Sequence, residues 1–213
     1  MLVGAADAGP AFRELGEYKD EPLPKPACPE AKTCQAIGHV TGYQVEMGRH
    51  KNPYVVNHRG KIVAFTIKLS KPNKSQIAFF TNLFGGRPTV RLSVLKKPKH
   101  DVRHHTDLRL VAQSEVFDLT DYLGSTPSFA LSTALVVPAH STIALTVPTW
   151  APAFATNAGK DRAWRSSRLK GDCGGTTQRA QQSPGTISYY DCFYRHPQLL
   201  YTATFLRDPK TTK

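Results

Sequence analysis

Apolar and polar positions alternate from Ile62 to Leu69, with Ile62, Ala64, Thr66 and Lys68 on one side and Val63, Phe65, Ile67 and Leu69 on the other. A period of two predicts a strand with one buried face. The period then changes. Asn73 stands where an N-cap belongs, Gln76 completes a capping box, and Ile77, Phe80, Leu83 and Phe84 follow at helical spacing until Gly85-Gly86. Pro88 opens a second strand, with Val90, Leu92 and Val94 on one face and Arg91, Ser93 and Leu95 on the other. The segment 61–97 therefore predicts strand, short helix near 73–84, strand. Two amphipathic strands predict an antiparallel sheet with one wet face.

The same reading extends along the chain. A strand is expected from near Gln35 through HVTGYQV, and a short one at Tyr54–Asn57 before the His58-Arg59-Gly60 turn. Leu108–Phe117, Phe129–Leu131, Ala134–Val137 and Thr142–Val147 follow as strands, and Gln198–Phe205 is the last. The hairpin shape of ALVVPAHSTIALTV recurs in sandwiches and jelly rolls. Residues 1–34 are rich in Pro and Glu without periodicity, which predicts an extended leader or linker. Pro148–Tyr190 reads as a long loop-rich region that must be functional or tied down. Together these predict an all-β protein: one antiparallel β-sandwich domain over 35–207, jelly-roll-like, with one short helix and a tail at 208–213.

Composition changes this picture in one respect. At 213 residues the chain can bury a sizeable core, and its 40% hydrophobic and 21% charged residues are those of a globular protein. The formal net charge is +12, which favours anionic partners. The charge is unevenly spread. Lys and Arg crowd Arg87–Arg109 and Lys160–Lys213, and none falls between Leu110 and Gly159.

Four cysteines, Cys28, Cys34, Cys173 and Cys192, lack the CxxC spacing of zinc knuckles and redox motifs. They allow three connectivities, of which neighbour pairing (Cys28–Cys34 and Cys173–Cys192) is the simplest. Disulfide use implies an oxidising compartment, extracellular or cell-envelope. MLVGAADAGP is not a signal peptide, so export implies a removed signal or a start codon assigned too late. No stretch is long enough for a membrane-spanning helix.

Motifs for chemistry are sparse. The chain has no Walker A sequence, GxGxxG or GxSxG, and no cofactor is expected. His100, Asp101, His104, His105 and Asp107 are metal-ligand types, but adjacent histidines on a strand face opposite ways and the basic neighbours repel a cation; the segment reads as a solvated basic loop. Glu115, Asp118 and Asp121 cluster as hydrolytic carboxylates would, and equally as turn acids.

The binding candidates are aromatic and arginine residues of the loop-rich region: Trp150 in PTWAP, Trp164, Arg165 and Arg168 in AWRSSR, and Tyr190 beside Cys192. Aromatic faces stack on sugar rings, and arginines offer planar forked donors to carboxylates and phosphates. TVPTWAPAF, AWRSSR, VVPAHSTIALTV, the late cysteine pair and the closing strand LLYTATF resemble uncharacterised secreted proteins of high-GC Gram-positive bacteria. The resemblance implies an extracellular β-sandwich and carries no active site onto this chain.

The expectation is a non-catalytic extracellular or cell-envelope module that binds an anionic or carbohydrate polymer, such as a cell-wall polysaccharide. An envelope-polymer hydrolase using acids near 115–121 is the alternative. A basic nucleic-acid binder is the third reading, with no helix-turn-helix, zinc-finger or RNP signature to support it. Oligomeric state is not legible.

Overall fold

The structure is a computed structural model that describes residues 12–27, 34–99, 105–176 and 180–209. Its principal elements are β1 (Phe12–Leu15), β2 (Ile37–Met47), β3 (Gly60–Ile67), α1 (Lys74–Phe84), β4 (Thr89–Lys96), β5 (Asp107–Gln113), β6 (Ser128–Val137), β7 (Ser141–Ala151), β8 (Arg162–Ser166), β9 (Ile187–Tyr189), β10 (Cys192–Arg195) and β11 (Tyr201–Arg207). They form two antiparallel sheets. The smaller has the order β1-β11-β3-β6, and the larger runs β9-β5-β4-β7-β2-β8-β10. The chain changes sheets between β1 and β2, β2 and β3, β3 and β4, β5 and β6, β6 and β7, and β10 and β11. This is the all-β sandwich-like fold with one helix that the hydrophobic pattern predicts.

Ile62, Phe65 and Ile67 of the smaller sheet face Val90, Leu92, Val94, Ile143, Leu145 and Val147 of the larger one in a single core. Strict alternation would place Ile62 opposite in phase to Phe65, yet both are buried. The register of β3 slips against β6 between Ile62 and Ala64, and against β11 between Thr204 and Phe205. One extra residue on a strand reverses which face the following side chains take, so the bulge buries both.

Helix α1 begins where its cap places it. Asn73 Oδ1 accepts the Gln76 N–H at 3.0 Å, Gln76 Oε1 accepts the Asn73 N–H at 2.8 Å, and Gly85 closes the helix in the left-handed region at φ 70°. Its inward face, Phe80 and Phe84, packs on Trp150 of β7, with the Phe80 and Trp150 rings 5.1 Å apart. A Cβ at Gly38 of β2 would lie 2.4 Å from the Phe84 ring, so glycine there lets the helix seat directly on the larger sheet.

Three sequence expectations change. First, the outer face of the larger sheet is not wet. Leu95, Leu110 and Ala144 are buried there under Tyr190, and Ser93 is buried in hydrogen bonds to Thr146 and Gln113. Second, residues 12–27 are not a detached leader. β1 pairs with β11, Leu15 is buried in the main core, and Arg162 forms an ion pair with Glu21. Third, the region 148–190 is not one long loop. β7 continues to Ala151 through Pro148, at a register slip between Val147 and Trp150 where a proline is tolerated, and β8 lies between β2 and β10. The tie expected of this region is present as the Cys173–Cys192 disulfide. Cys34 is also disulfide-bonded, and Cys28 lies outside the described residues.

Candidate binding site

β8 carries its side chains alternately to the two faces of the larger sheet. Trp164 points into the sandwich, 2% exposed, and stacks on Tyr194 of β10 with centroids 4.4 Å apart and planes 16° apart. Gly42 on β2 makes room, since a Cβ there would lie 2.6 Å from the Trp164 ring. Arg165, the next residue, must face outward. It stands in register between Tyr43 of β2 and Phe193 of β10. Its guanidinium carbon lies 4.9 Å from the centroid of the Phe193 ring, and Nη1 donates to the Tyr190 carbonyl at 3.0 Å. Arg195, two residues after Phe193 and so on the same face, lies over the same ring at 5.2 Å. Phe193 is half-buried and Arg195 exposed. Among the described residues no carboxylate lies within 4.0 Å of either guanidinium, while five other basic side chains are so paired.

The expected binding residues separate into two groups. Trp150 is fully buried beneath α1, with Nε1 donating to the Gly86 carbonyl at 3.0 Å. Tyr190 is fully buried, its hydroxyl donating to Gln181 Oε1 at 2.7 Å. Burial lifts its pKa well above the ordinary tyrosine value. Trp150, Trp164 and Tyr190 therefore offer no face to a ligand in this structure. Arg168 points back into the fold: Nη1 donates to the Cys173 carbonyl at 3.0 Å and Nη2 to the Gly38 carbonyl at 3.1 Å. Arg165 alone of the five lies over the Phe193 ring, partly exposed. Phe193 and Arg195, which sequence reasoning passed over, complete its setting. Their signal was the alternation in Cys192-Phe193-Tyr194-Arg195, which puts Phe193 and Arg195 together and Tyr194 opposite.

The polar layer beside this cluster fixes it. Gln181 holds the segment before β9 against the sheet: its N–H donates to Thr41 Oγ1 at 3.1 Å, and its carbonyl accepts from Gln113 Nε2 at 2.9 Å. Thr41 in turn bonds Thr146 at 2.9 Å. The Tyr190 carbonyl that orients Arg165 is thus anchored through Gln181 and the Cys173–Cys192 bridge.

Of the basic residues in 87–109, Arg91 and Lys96 lie on β4 and Arg109 on β5. Lys96 and Arg109 oppose one another across β4 and β5. Three strand spacings and about three residues of strand separate Lys96 from Arg165, or roughly 15–20 Å along the larger sheet, and Arg109 lies one strand further.

Two of the three clustered acids, Glu115 and Asp118, are engaged within the fold. Glu115 Oε1 accepts the Ser132 N–H of β6 at 2.7 Å. Desolvation raises the Glu115 pKa, but the Ser132 hydrogen bonds and Arg91 outweigh it and leave it below the ordinary value. Asp118 is lowered by its hydrogen bonds to Thr120 and by Arg87, 3.5 Å away. A general acid needs the opposite shift. A cavity of about 500 Å³ under residues 14–23 is lined by Glu14, Glu17, Glu21 and Lys68. There Glu14 accepts from Thr204, Glu21 pairs with Arg162, and Lys68 donates to the Leu23 carbonyl.

Most of the His100–Asp107 segment lies outside the described residues, and no group of three metal-ligating side chains occurs among the described ones. No described helix is long and apolar enough to cross a membrane. No family model matches the chain, and neither a curated protein nor a solved structure matches it.

Proposed function

We propose that this domain is a non-catalytic extracellular or cell-envelope module that binds an anionic polysaccharide through Arg165, Phe193 and Arg195. The observation that carries the reading is two guanidiniums on one half-buried aromatic ring, neither with a carboxylate partner among the described residues. A guanidinium over a ring can still offer edge donors to a carboxylate or phosphate, and among the described residues Arg165 engages only Nη1, on the Tyr190 carbonyl. The Phe193 ring beside them suits the apolar face of a sugar. An exposed strand edge with cations spaced along it fits an extended chain rather than a small molecule. A hydrolase reading is not favoured, because Glu115 and Asp118 are ionised and engaged in hydrogen bonds. Export rests on the disulfide use and on the resemblance to secreted β-sandwich proteins.

Retention on immobilised polyuronate, teichoic-type polymer and neutral glucan tests this. The native chain is expected to bind the two anionic polymers and not the glucan, with affinity that falls as salt rises. Arg165→Ala combined with Arg195→Ala is expected to weaken binding tenfold or more with an unchanged thermal transition. Equal binding by this variant would remove the site. Tighter, steeply salt-dependent retention on duplex DNA than on any polysaccharide would favour the nucleic-acid reading instead.

A further inference from the structure

Helix α1 is apolar on two faces. Phe80 and Phe84 fill the inward face against Trp150, yet Phe79 is 59% exposed and Leu83 44% exposed on the other side. They stand four residues apart, so they form neighbours on one stripe with Ser75, Ala78 and Asn82, all exposed and all uncharged. An outward helix face ordinarily carries charge. Here the charge sits at the ends instead: Lys71 and Lys74 at the start and Arg87 just after the Gly85-Gly86 stop, all exposed. No Asp or Glu occurs anywhere between Glu46 and Asp101. Among the described residues the one carboxylate paired with these cations is Asp118, 3.5 Å from Arg87, with both side chains open to water.

We propose that this face of α1 docks the domain on an anionic lipid surface, with Phe79 and Leu83 entering the interface and Lys71, Lys74 and Arg87 meeting the head groups. Two features select this occupant. The apolar pair needs an apolar phase, which a hydrated polyanion does not supply. The bracketing cations need negative charge, which a second copy does not supply, because a two-fold contact through this stripe brings Lys71, Lys74 and Arg87 towards their own counterparts. A bilayer of anionic lipid offers both at once. The helix is built to hold the pair outward, since its caps and its seating on Gly38 and Trp150 fix its rotation.

Flotation of the full chain with vesicles tests the proposal. Vesicles of phosphatidylcholine with about a third phosphatidylglycerol are expected to carry the protein at roughly 0.15 M salt and to release most of it at about 0.5 M, where the field around each charge is shorter. Pure phosphatidylcholine vesicles are expected to carry little. Phe79→Ser with Leu83→Ser is expected to reduce flotation tenfold or more, and Lys71→Gln with Lys74→Gln to do the same, each with an unchanged melting transition. Polyuronate retention of the Phe79→Ser/Leu83→Ser variant is expected to equal that of the native chain, so this proposal and the polysaccharide reading fail separately. Undiminished flotation of that variant, or no flotation of the native chain, overturns the proposal. So does a dimer by light scattering that the variant abolishes, which would assign the stripe to a second copy.

Discussion

The ion pair between Glu21 and Arg162 gives the sharpest quantitative expectation. It joins residues 12–27 to β8 across 141 positions of sequence. The side chains are 20% and 10% exposed, so solvent screens the pair far less than a surface bridge. Arg162 has further partners: Nε donates to Gln198 Oε1 at 3.0 Å, and Nη1 lies 3.1 Å from Asp161 Oδ1 without hydrogen-bond geometry. Glu21→Gln keeps the shape and removes one charge. Arg162 then retains Gln198 and Asp161, so the loss is that of one charge-assisted hydrogen bond, about 1.5–3 kcal/mol. Arg162→Met instead strands the Glu21 carboxylate, which costs about 3–5 kcal/mol where the group cannot reach water.

That second figure has a ceiling. Residues 12–27 can peel from the sandwich and let Glu21 hydrate, so the global loss cannot exceed what docking this segment contributes. Docking rests on the β1–β11 ladder, the burial of Leu15, and the stack of Tyr18 on His50 at 3.6 Å. The two variants therefore separate by assay. Urea unfolding followed by circular dichroism reads the global loss, and trypsin cleavage after Arg13 and Lys19 reads local release. Both singles are expected to accelerate cleavage, with a coupling of about 1–2 kcal/mol in the double-mutant cycle. Coupling below about 0.3 kcal/mol, with cleavage rates unchanged, would refute the claim that this pair fastens the segment.

Burial raises the pKa of Tyr54, Tyr190 and Tyr201 well above the ordinary tyrosine value. Unfolding releases their protons at alkaline pH, so stability is intact below that ordinary value and falls as pH rises above it. Ultraviolet titration should show these rings ionising only with unfolding, and their smooth ionisation in the folded state would contradict their burial. Glu115 is shifted the other way, so its contribution is present above the ordinary carboxylate value and is lost as pH falls through the lower folded-state value. Glu115→Gln should cost less than about 1 kcal/mol, remove that acid dependence, and leave polymer binding intact; appearance of native glycosidase turnover that this variant abolishes would restore the hydrolase reading. Replacing Cys173 and Cys192 by Ser opens a loop of sequence separation 19 and should cost about 3 kcal/mol. It should also weaken polymer binding, because it loosens the segment whose Tyr190 carbonyl holds Arg165; unchanged affinity would show that Arg165 is oriented without it.

Local pattern was enough for the elements whose environment is set by their own residues. The capping box at Asn73 and Gln76, the Gly85 stop and the alternation of Val90, Leu92 and Val94 each act within a few positions, and each is found where the sequence puts it. Elements fixed by distant partners were not legible. β8 is short, and Arg162-Ala163-Trp164-Arg165-Ser166 shows no clean alternation; what makes it a strand is having β2 on one side and β10 on the other. β1 is likewise a strand only because β11 offers an open edge. The wet face expected of β4 failed for the same reason. Ser93 and Leu95 read as a mixed surface, but Gln181 and Tyr190, some ninety residues later, cover them.

The site shows how the same limit bears on function. Trp150, Trp164 and Tyr190 drew attention as stacking platforms, and their size is the reason they are unavailable: large rings bury the most area, and each sits where two elements must be joined. Trp150 joins α1 to β7, Trp164 joins β8 to the core, and Tyr190 joins the 180–190 segment to the sheet. A smaller ring, Phe193, is left partly exposed on β10, the last strand of the larger sheet. Strand phase decides the rest. Arg165 and Arg195 share its face, whereas Trp164 and Tyr194, one residue away in each case, stack inside. Residue type alone named one of the three surface groups; alternation along β8 and β10, applied once their pairing was known, names all three. A binding surface of this kind is therefore a property of register, and shifting β10 by one residue would exchange Phe193 and Arg195 for Tyr194 beside Arg165 without changing the composition at all.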